Sequence, residues 1–236
     1  TGSRPHTLPG LSVDGSYVLT SDEALSFEEL PASIIIVGGG VIGVEWASMM
    51  ADFGVSVTVL EYAERILPSE DAEISKEMQR LLKKKGIQVF TGAKVIPETL
   101  QKENGVSVTA IINGTPREFK GDKLLLSVGR QANVEGIGLE NTDIVVKNGV
   151  IQTNEYYQTK ESHIYAIGDC IGGLQLAHVA SHEGITAVQH MAGRRPHPLD
   201  YSMIPTCIYS HPEAAKVGLT EEEAAAKGYK VKTGKF

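Results

Sequence analysis

The sequence has little cysteine, no surplus of positive charge and no long apolar run, and each absence removes a class of function. Only Cys170 and Cys207 occur among 236 residues, and neither sits in a Cys-x-x-Cys or other metal-ligand spacing. No disulfide can be read from them, and both are expected to be buried, inert thiols. Lys and Arg number 22 against 29 Asp and Glu, a formal charge of -7. A nucleic-acid interface needs a basic face to neutralise phosphates, and the one short run, Lys83-Lys84-Lys85, reads as the solvated end of a helix. No stretch is long and apolar enough for a transmembrane helix and no signal-peptide pattern occurs, so no membrane role and an intracellular, cytoplasmic location are expected. Internal repeats and low-complexity tracts are also lacking. The chain starts at Thr1-Gly2-Ser3 rather than Met and stops at Lys235-Phe236 without a helix cap, so it reads as a piece of a longer polypeptide.

What remains is an ordinary globular composition, 42% apolar and 22% charged, long enough for two smaller domains. Its most informative stretch is Ile34-Ile35-Ile36-Val37-Gly38-Gly39-Gly40-Val41-Ile42-Gly43-Val44-Glu45. An apolar run of buried-strand type leads into Gly-x-Gly-x-x-Gly and then an apolar helix start, the setting of a dinucleotide fingerprint. Gly38 permits the tight turn, Gly40 has no side chain to block a pyrophosphate, and Gly43 lets the helix lie close to the strand. The helix N-terminus offers unpaired N–H groups and a partial positive charge to the phosphates.

Around this motif the pattern is regular. Residues 1–30 are turn-rich, with a possible short helix capped near Ser21-Asp22-Glu23. Strand 34–37, helix 41–53 and strand 55–60 make a β-α-β unit, continued by an amphipathic helix over 72–85 that ends at Gly86 and by a third strand over 87–90. Segments 106–112 and 117–120, joined by Asn113-Gly114, read as an antiparallel hairpin, and 124–128 returns to a buried strand. Beyond Arg130 the chain loosens until a short buried run at 164–167, a helix over 176–191 and an acidic helix around 221–227. The fold class is therefore α/β, a Rossmann-like domain with an antiparallel β insert.

Two carboxylates near the fingerprint carry the nucleotide assignment. Glu61 ends the second strand about 20 residues beyond the glycine turn, where an acidic side chain accepts hydrogen bonds from the adenosine ribose hydroxyls. It would repel a 2′-phosphate, and Arg65 is the only cation nearby, so NAD is expected rather than NADP. Glu45 lies in the first turns of the phosphate-facing helix, where it is either a partner of the helix dipole or a ligand to the nicotinamide.

Three further motifs, Ser127-Val128-Gly129-Arg130, Tyr165-Ala166-Ile167-Gly168-Asp169 and Ile208-Tyr209-Ser210-His211-Pro212-Glu213, extend the pattern over the whole chain. With Leu176-Ala177-His178, Glu183-Gly184 and Val217-Gly218-Leu219-Thr220-Glu221, they make the chain resemble the flavoprotein pyridine-nucleotide disulfide oxidoreductases, and most of all the dihydrolipoamide dehydrogenase family. The resemblance implies residues 1–30 as the end of an FAD-binding domain with a linker and 31–130 as the NAD-binding domain. It implies 131–200 as a central, FAD-contacting segment, incomplete here, and 201–236 as the start of an α+β interface domain for a homodimer.

By the same resemblance, Gly38, Gly40 and Gly43 hold the NAD pyrophosphate, Glu61 the ribose and Glu45 the nicotinamide carboxamide. Val41 stands where a side chain shields the flavin until NAD arrives, and Gly129 lies near the nicotinamide ribose. Asp169 accepts hydrogen bonds from the flavin ribityl, and the N–H groups of Ala177 and His178 point at the flavin pyrimidine edge, where a helix N-terminus favours the reduced flavin's negative charge. The backbone role is preferred for His178 over that of a catalytic base. His182 and Glu183 are adjacent on a helix and make a poor dyad.

The activity implied is oxidation of dihydrolipoyl groups on an acyltransferase subunit through a redox disulfide and FAD, with hydride passing to NAD. The redox cysteine pair, the first FAD glycine motif and the terminal catalytic His are not in this sequence, so the chain as given is expected to bind NAD and to lack catalytic residues of its own. Another NAD-linked flavoprotein disulfide reductase, such as one resembling mercuric reductase, and a non-catalytic NAD-binding module are the alternatives.

Overall fold

Residues 34–37 are all apolar because the strand they form is covered on both faces, as a central strand of a parallel sheet must be. The computed structural model of the chain describes residues 1–235; Phe236, the last position of the expected interface segment, lies outside them. The first elements are β1 (Ser3–Pro5), β2 (Val18–Thr20), the one-turn α1 (Ser21–Ala24), β3 (Ser33–Val37), α2 (Val41–Asp52) and β4 (Ser56–Leu60). Then come α3 (Ala72–Lys84), β5 (Gln88–Phe90), β6 (Ala93–Gln101), β7 (Val106–Ile112), β8 (Thr115–Gly121), β9 (Lys123–Leu126) and β10 (Arg130–Ala132). The chain continues through β11 (Val146–Lys147), β12 (Val150–Ile151), α4 (Ala177–Met191), β13 (Thr206–Ile208), β14 (Ala214–Lys216) and α5 (Glu221–Ala226).

These elements fall into two compact units. The larger contains Pro5–Gly129 and the described residues from Pro205 onward; the smaller contains Thr1–Arg4 and Arg130–Ile204. In the larger unit five parallel strands run in the order β2-β9-β3-β4-β5. The strand period of two sorts the side chains. Ile34, Ile36, Val57, Val59 and Leu125 pack on one face with Val44, Ala47 and Met50 of α2 and Met78 and Leu82 of α3. Ile35, Val37, Leu60, Leu124 and Leu126 pack on the other with Val106, Val108, Ala110 and Phe119 of the antiparallel sheet β6-β7-β8. The α/β architecture with an antiparallel insert is the one expected.

Three local expectations need correction. The turn-rich stretch before residue 30 contributes an edge strand, β2, and the short helix is capped by Thr20, whose side chain and Glu23 form a capping box. No strand is expected over 93–101, yet the nine-residue β6 forms there; Pro97 falls where its pairing with β7 shifts register between Ile96 and Gln101, a place where a proline is tolerated. Residues 164–167 form no strand, only a single bridge between Gln158 and Tyr165, and Ile167 is 38% exposed.

The segment after Pro205 docks on the larger unit. β13 and β14 make a hairpin whose Ile208 joins the α2–α3 core, and Cys207, on the opposite side of the pleat, is exposed rather than buried as expected. Cys170 is buried. Lys85 pairs with Asp52 at 2.7 Å and reaches the His211 carbonyl, whereas Lys83 and Lys84 stay in solvent. The smaller unit has a modest core of Ile151, Ala166 and Cys170 with Val134, Leu139, Ile144 and Ile171 around it. Among the described residues no helix is long and apolar enough to cross a membrane, and no cluster of His, Cys, Asp and Glu could hold a metal.

Ile36 has no exposed surface, whereas Ile74 on α3 is 47% exposed. Ile36→Ala should lower unfolding stability by about 2–5 kcal/mol in urea titration, and Ile74→Ala by less than about 1 kcal/mol.

Candidate functional site

The three loops that follow β3, β4 and β9 meet at the carboxyl edge of the parallel sheet. That is the place where open α/β sheets bind ligands. The turn after β3 is set by backbone contacts. Gly38 sits at φ +111 with its N–H donating to the Leu60 carbonyl at 2.9 Å, and a Cβ there would fall 2.3 Å from the Ser127 carbonyl oxygen. At Gly43 a Cβ would lie 1.9 Å from the Gly38 carbonyl oxygen, so only glycine lets α2 approach the strand this closely. Ser127, at the end of β9, donates its hydroxyl to the carbonyls of Val37 (3.1 Å) and Gly38 (2.9 Å).

Gly40 differs from its neighbours. It has φ -72 and ψ -171, ordinary extended backbone for any residue, and a Cβ on it would meet nothing within 4 Å. Neither strain nor crowding within the chain demands glycine there. Gly40 is also the N-cap of the 12-residue α2 and offers no side-chain cap, so the helix end lacks the usual internal acceptor.

Glu61 is held beside this turn. One carboxylate oxygen accepts the Gly39 N–H and the other accepts the Ala63 N–H at 2.6 Å. Its negative charge is thereby fixed next to the glycine turn. Arg65, the cation that could have faced a 2′-phosphate, is turned away: its guanidinium grips Glu222 in two bonds of 3.1 and 3.2 Å and the Pro68 carbonyl at 3.2 Å. Val41, first residue of α2, is half-buried against the core edge, and Gly129 is exposed past the end of β9 at φ +112.

Glu45, one turn into α2, accepts the backbone N–H of Tyr209 at 2.8 Å. Three residues on, Ser48 accepts the His211 N–H at 2.8 Å, and Lys85 donates to Ser48 Oγ at 3.2 Å. The Glu45 carboxylate is thus oriented by the segment after Pro205, not by the dipole of the first helical turn, which carries no acidic residue.

The smaller unit holds the other expected residues. Asp169 lies in the 3-10 turn Gly168–Ile171, and its carboxylate accepts the Ser3 hydroxyl, which in turn accepts from Arg130 Nε at 2.6 Å. Ala177 and His178 are exposed in the first turn of α4, whose N-cap, Leu176, supplies no side-chain oxygen. His182 faces solvent and Glu183 is buried, so the two do not form a dyad. Missed by the sequence reading were Ser127, Ser48 and the Tyr209 amide. Ser127 had one signal, a lone hydroxyl closing an apolar strand; a backbone donor from a remote segment leaves none.

The family model described as "Pyridine nucleotide-disulphide oxidoreductase" matches residues 1–184, and that of the family's dimerisation domain matches residues 204–236. The chain is 70% identical over its whole length to a dihydrolipoyl dehydrogenase of Bacillus subtilis and 43% identical to one of Chlorobaculum tepidum. It spans 50% of each of those proteins. Among solved structures it resembles LpdA from Mycobacterium tuberculosis, with a TM-score of 0.88 and 30% identity over 96% of this chain and 49% of that one. It also resembles the HOCl-induced flavoprotein disulfide reductase RclA from Escherichia coli, with a TM-score of 0.85 and 31% identity over 98% and 52% of the two chains.

The two glycines separate folding from ligand approach. Gly43→Ala should cost more than about 3 kcal/mol in thermal unfolding without nucleotide, because backbone must move. Gly40→Ala should stay within about 1 kcal/mol of the parent.

Proposed function

The chain belongs to the pyridine nucleotide-disulphide oxidoreductase family, and from that premise we propose that it is the NAD-binding core of a dihydrolipoyl dehydrogenase, joined to part of the flavin-binding portion and the start of the dimerisation domain. In this reading 31–130, together with the stretch from Pro5 that supplies edge strand β2, binds NAD, the first residues of 1–30 and segment 131–200 serve the flavin, and 201–236 begins a homodimer interface. Gly40 carries the nucleotide assignment: a glycine the fold does not need, at an uncapped helix N-terminus, fits a pyrophosphate that must approach the backbone. The 70% identity with the Bacillus subtilis protein favours dihydrolipoyl groups, carried by an acyltransferase subunit, as substrate over that of the more distant RclA.

The chain's own residues bind and orient. Gly38 and Gly43 shape the turn, and the α2 N–H groups meet the phosphates. Glu61, anchored by two backbone N–H groups, accepts from the adenosine ribose hydroxyls and repels a 2′-phosphate, which Arg65 is not placed to neutralise. Glu45, oriented by Tyr209, takes the nicotinamide carboxamide; Val41 and Gly129 flank the nicotinamide end. Asp169 fits the flavin ribityl because a carboxylate fixed by Ser3 keeps lone pairs for hydroxyl donors. The α4 N-terminus at Ala177 and His178 favours negative charge on the flavin pyrimidine. FAD, when bound, supplies the redox chemistry between dithiol and nicotinamide.

Glu61→Arg should reverse the nucleotide preference, weakening NADH and strengthening NADPH binding by about tenfold or more each in fluorescence titration. Equal affinity of the unsubstituted protein for both nucleotides would refute the role of Glu61. The 236-residue chain on its own should bind NADH, stay colourless and fail to oxidise dihydrolipoamide, while the full-length polypeptide is yellow and active. Turnover by the short chain at its confirmed mass would overturn this division of labour.

A further inference from the structure

Helix α4 carries one carboxylate that the proposed function does not use. Glu183 is 2% exposed, on the same helix face as the buried Val179, Thr186 and Ala187. One of its oxygens accepts the Gly168 N–H at 2.6 Å and the other accepts the Tyr201 hydroxyl at 2.6 Å. The Tyr201 hydroxyl lies 3.2 Å from that of Tyr157, which is 4% exposed. A buried carboxylate is costly unless hydrogen-bonded, and an apolar side chain of similar volume would pack on this face without that cost. Packing therefore does not account for a glutamate here.

The location of the bonded amide does. Gly168 opens the 3-10 turn Gly168–Ile171 at φ +70, and a Cβ on it would press on Ala180 of α4 at 3.1 Å. The next residue is Asp169. Its side chain is held by Ser3, itself bonded by Arg130, while the Ile167–Gly168 peptide, one residue earlier, is held through its N–H by Glu183. We infer that Glu183 is a positioning residue for the flavin: braced by Tyr201, its carboxylate locks the Gly168 peptide and so sets the direction of the Asp169 carboxylate toward the ribityl hydroxyls. The inference rests on the reading of Asp169 given above. Burial, followed by the bond to Glu183, pushes the Tyr201 hydroxyl well above the ordinary tyrosine pKa.

The test uses the full-length protein stripped of flavin and titrated with FAD, read by flavin fluorescence and the visible spectrum. NADH affinity of each variant serves as the folding readout, because Gly38 and Glu61 belong to the other unit. Glu183→Gln can accept from Gly168 and donate to Tyr201, so FAD affinity should stay within about threefold of the parent. Glu183→Met should fold and bind NADH normally but bind FAD about tenfold more weakly or worse, and Tyr201→Phe should fall between them. Parent-like FAD binding by Glu183→Met beside a weakened Asp169→Asn would sink the positioning role alone. Loss of NADH binding together with FAD binding in Glu183→Met would reduce Glu183 to a general stabiliser and overturn the inference. Parent-like FAD binding by Asp169→Asn would remove the flavin role of Asp169 itself, and the inference with it.

Discussion

The approach of the Gly43 backbone to the Gly38 carbonyl governs the carboxyl edge of the large sheet. A helix that follows a strand after a three-residue turn must run back over that strand, and any Cβ at Gly43 would occupy the space of the carbonyl oxygen. With the Cβ absent, α2 closes on β3, and Ser127 adds a hydrogen bond to the same oxygen from the neighbouring strand. The polar atom at the tightest point is thus satisfied within the fold. The α2 N-terminus is left pointing outward with no side-chain cap, and Gly39 turns its N–H to Glu61. The uncapped helix N-terminus at Gly40 and the carboxylate held beside the turn at Glu61 are two consequences of the same tight turn.

Helix α2 has a second attachment. Glu45 and Ser48, spaced to share a helix face, accept the amides of Tyr209 and His211, while Ile208 enters the core beneath and Lys85 bonds the Ser48 hydroxyl. The segment matched by the dimerisation-domain model is therefore fastened to the helix that begins at the glycine turn. Arg65 with Glu222 and Lys216 with Glu70, at 3.2 Å, add ion pairs along the same docking line. The exposed members of these pairs contribute little energy singly, so Ile208 and the backbone bonds do most to hold the segment.

The smaller unit is organised on different terms. Its apolar core is slight, and polar side chains fix its loops: Arg4 reaches Glu135 in two bonds of 3.0 Å and Asn133 at 2.7 Å, Ser3 links Arg130 to Asp169, and Glu183 ties α4 to the Gly168 turn. Loops have backbone groups that no ladder satisfies, and buried polar side chains are the remaining partners. Glu183 meets that need at Gly168, where an apolar side chain could not.

The parallel sheet, its two helices and the fingerprint turn were legible from residue order because they rest on local rules: an all-apolar strand, a 3.6-residue stripe, glycines at fixed offsets. Glu61 was legible for the same reason, its distance from the turn being set by one β-α-β unit. Elements whose pairing is non-local were not. Edge strand β2 depends on β9 more than a hundred residues later, and β6 keeps its place despite Pro97 because β7 pairs on either side of the register shift. Exposure of Cys207, burial of Glu183 and the partners of Glu45 were likewise undecidable from sequence, since a carboxylate looks the same whether water, a ligand or a distant amide will take its lone pairs. Residue order specified which backbone could fold and where a helix N-terminus is left uncapped; the packing of remote segments chose which polar groups are spent on the fold and which are not.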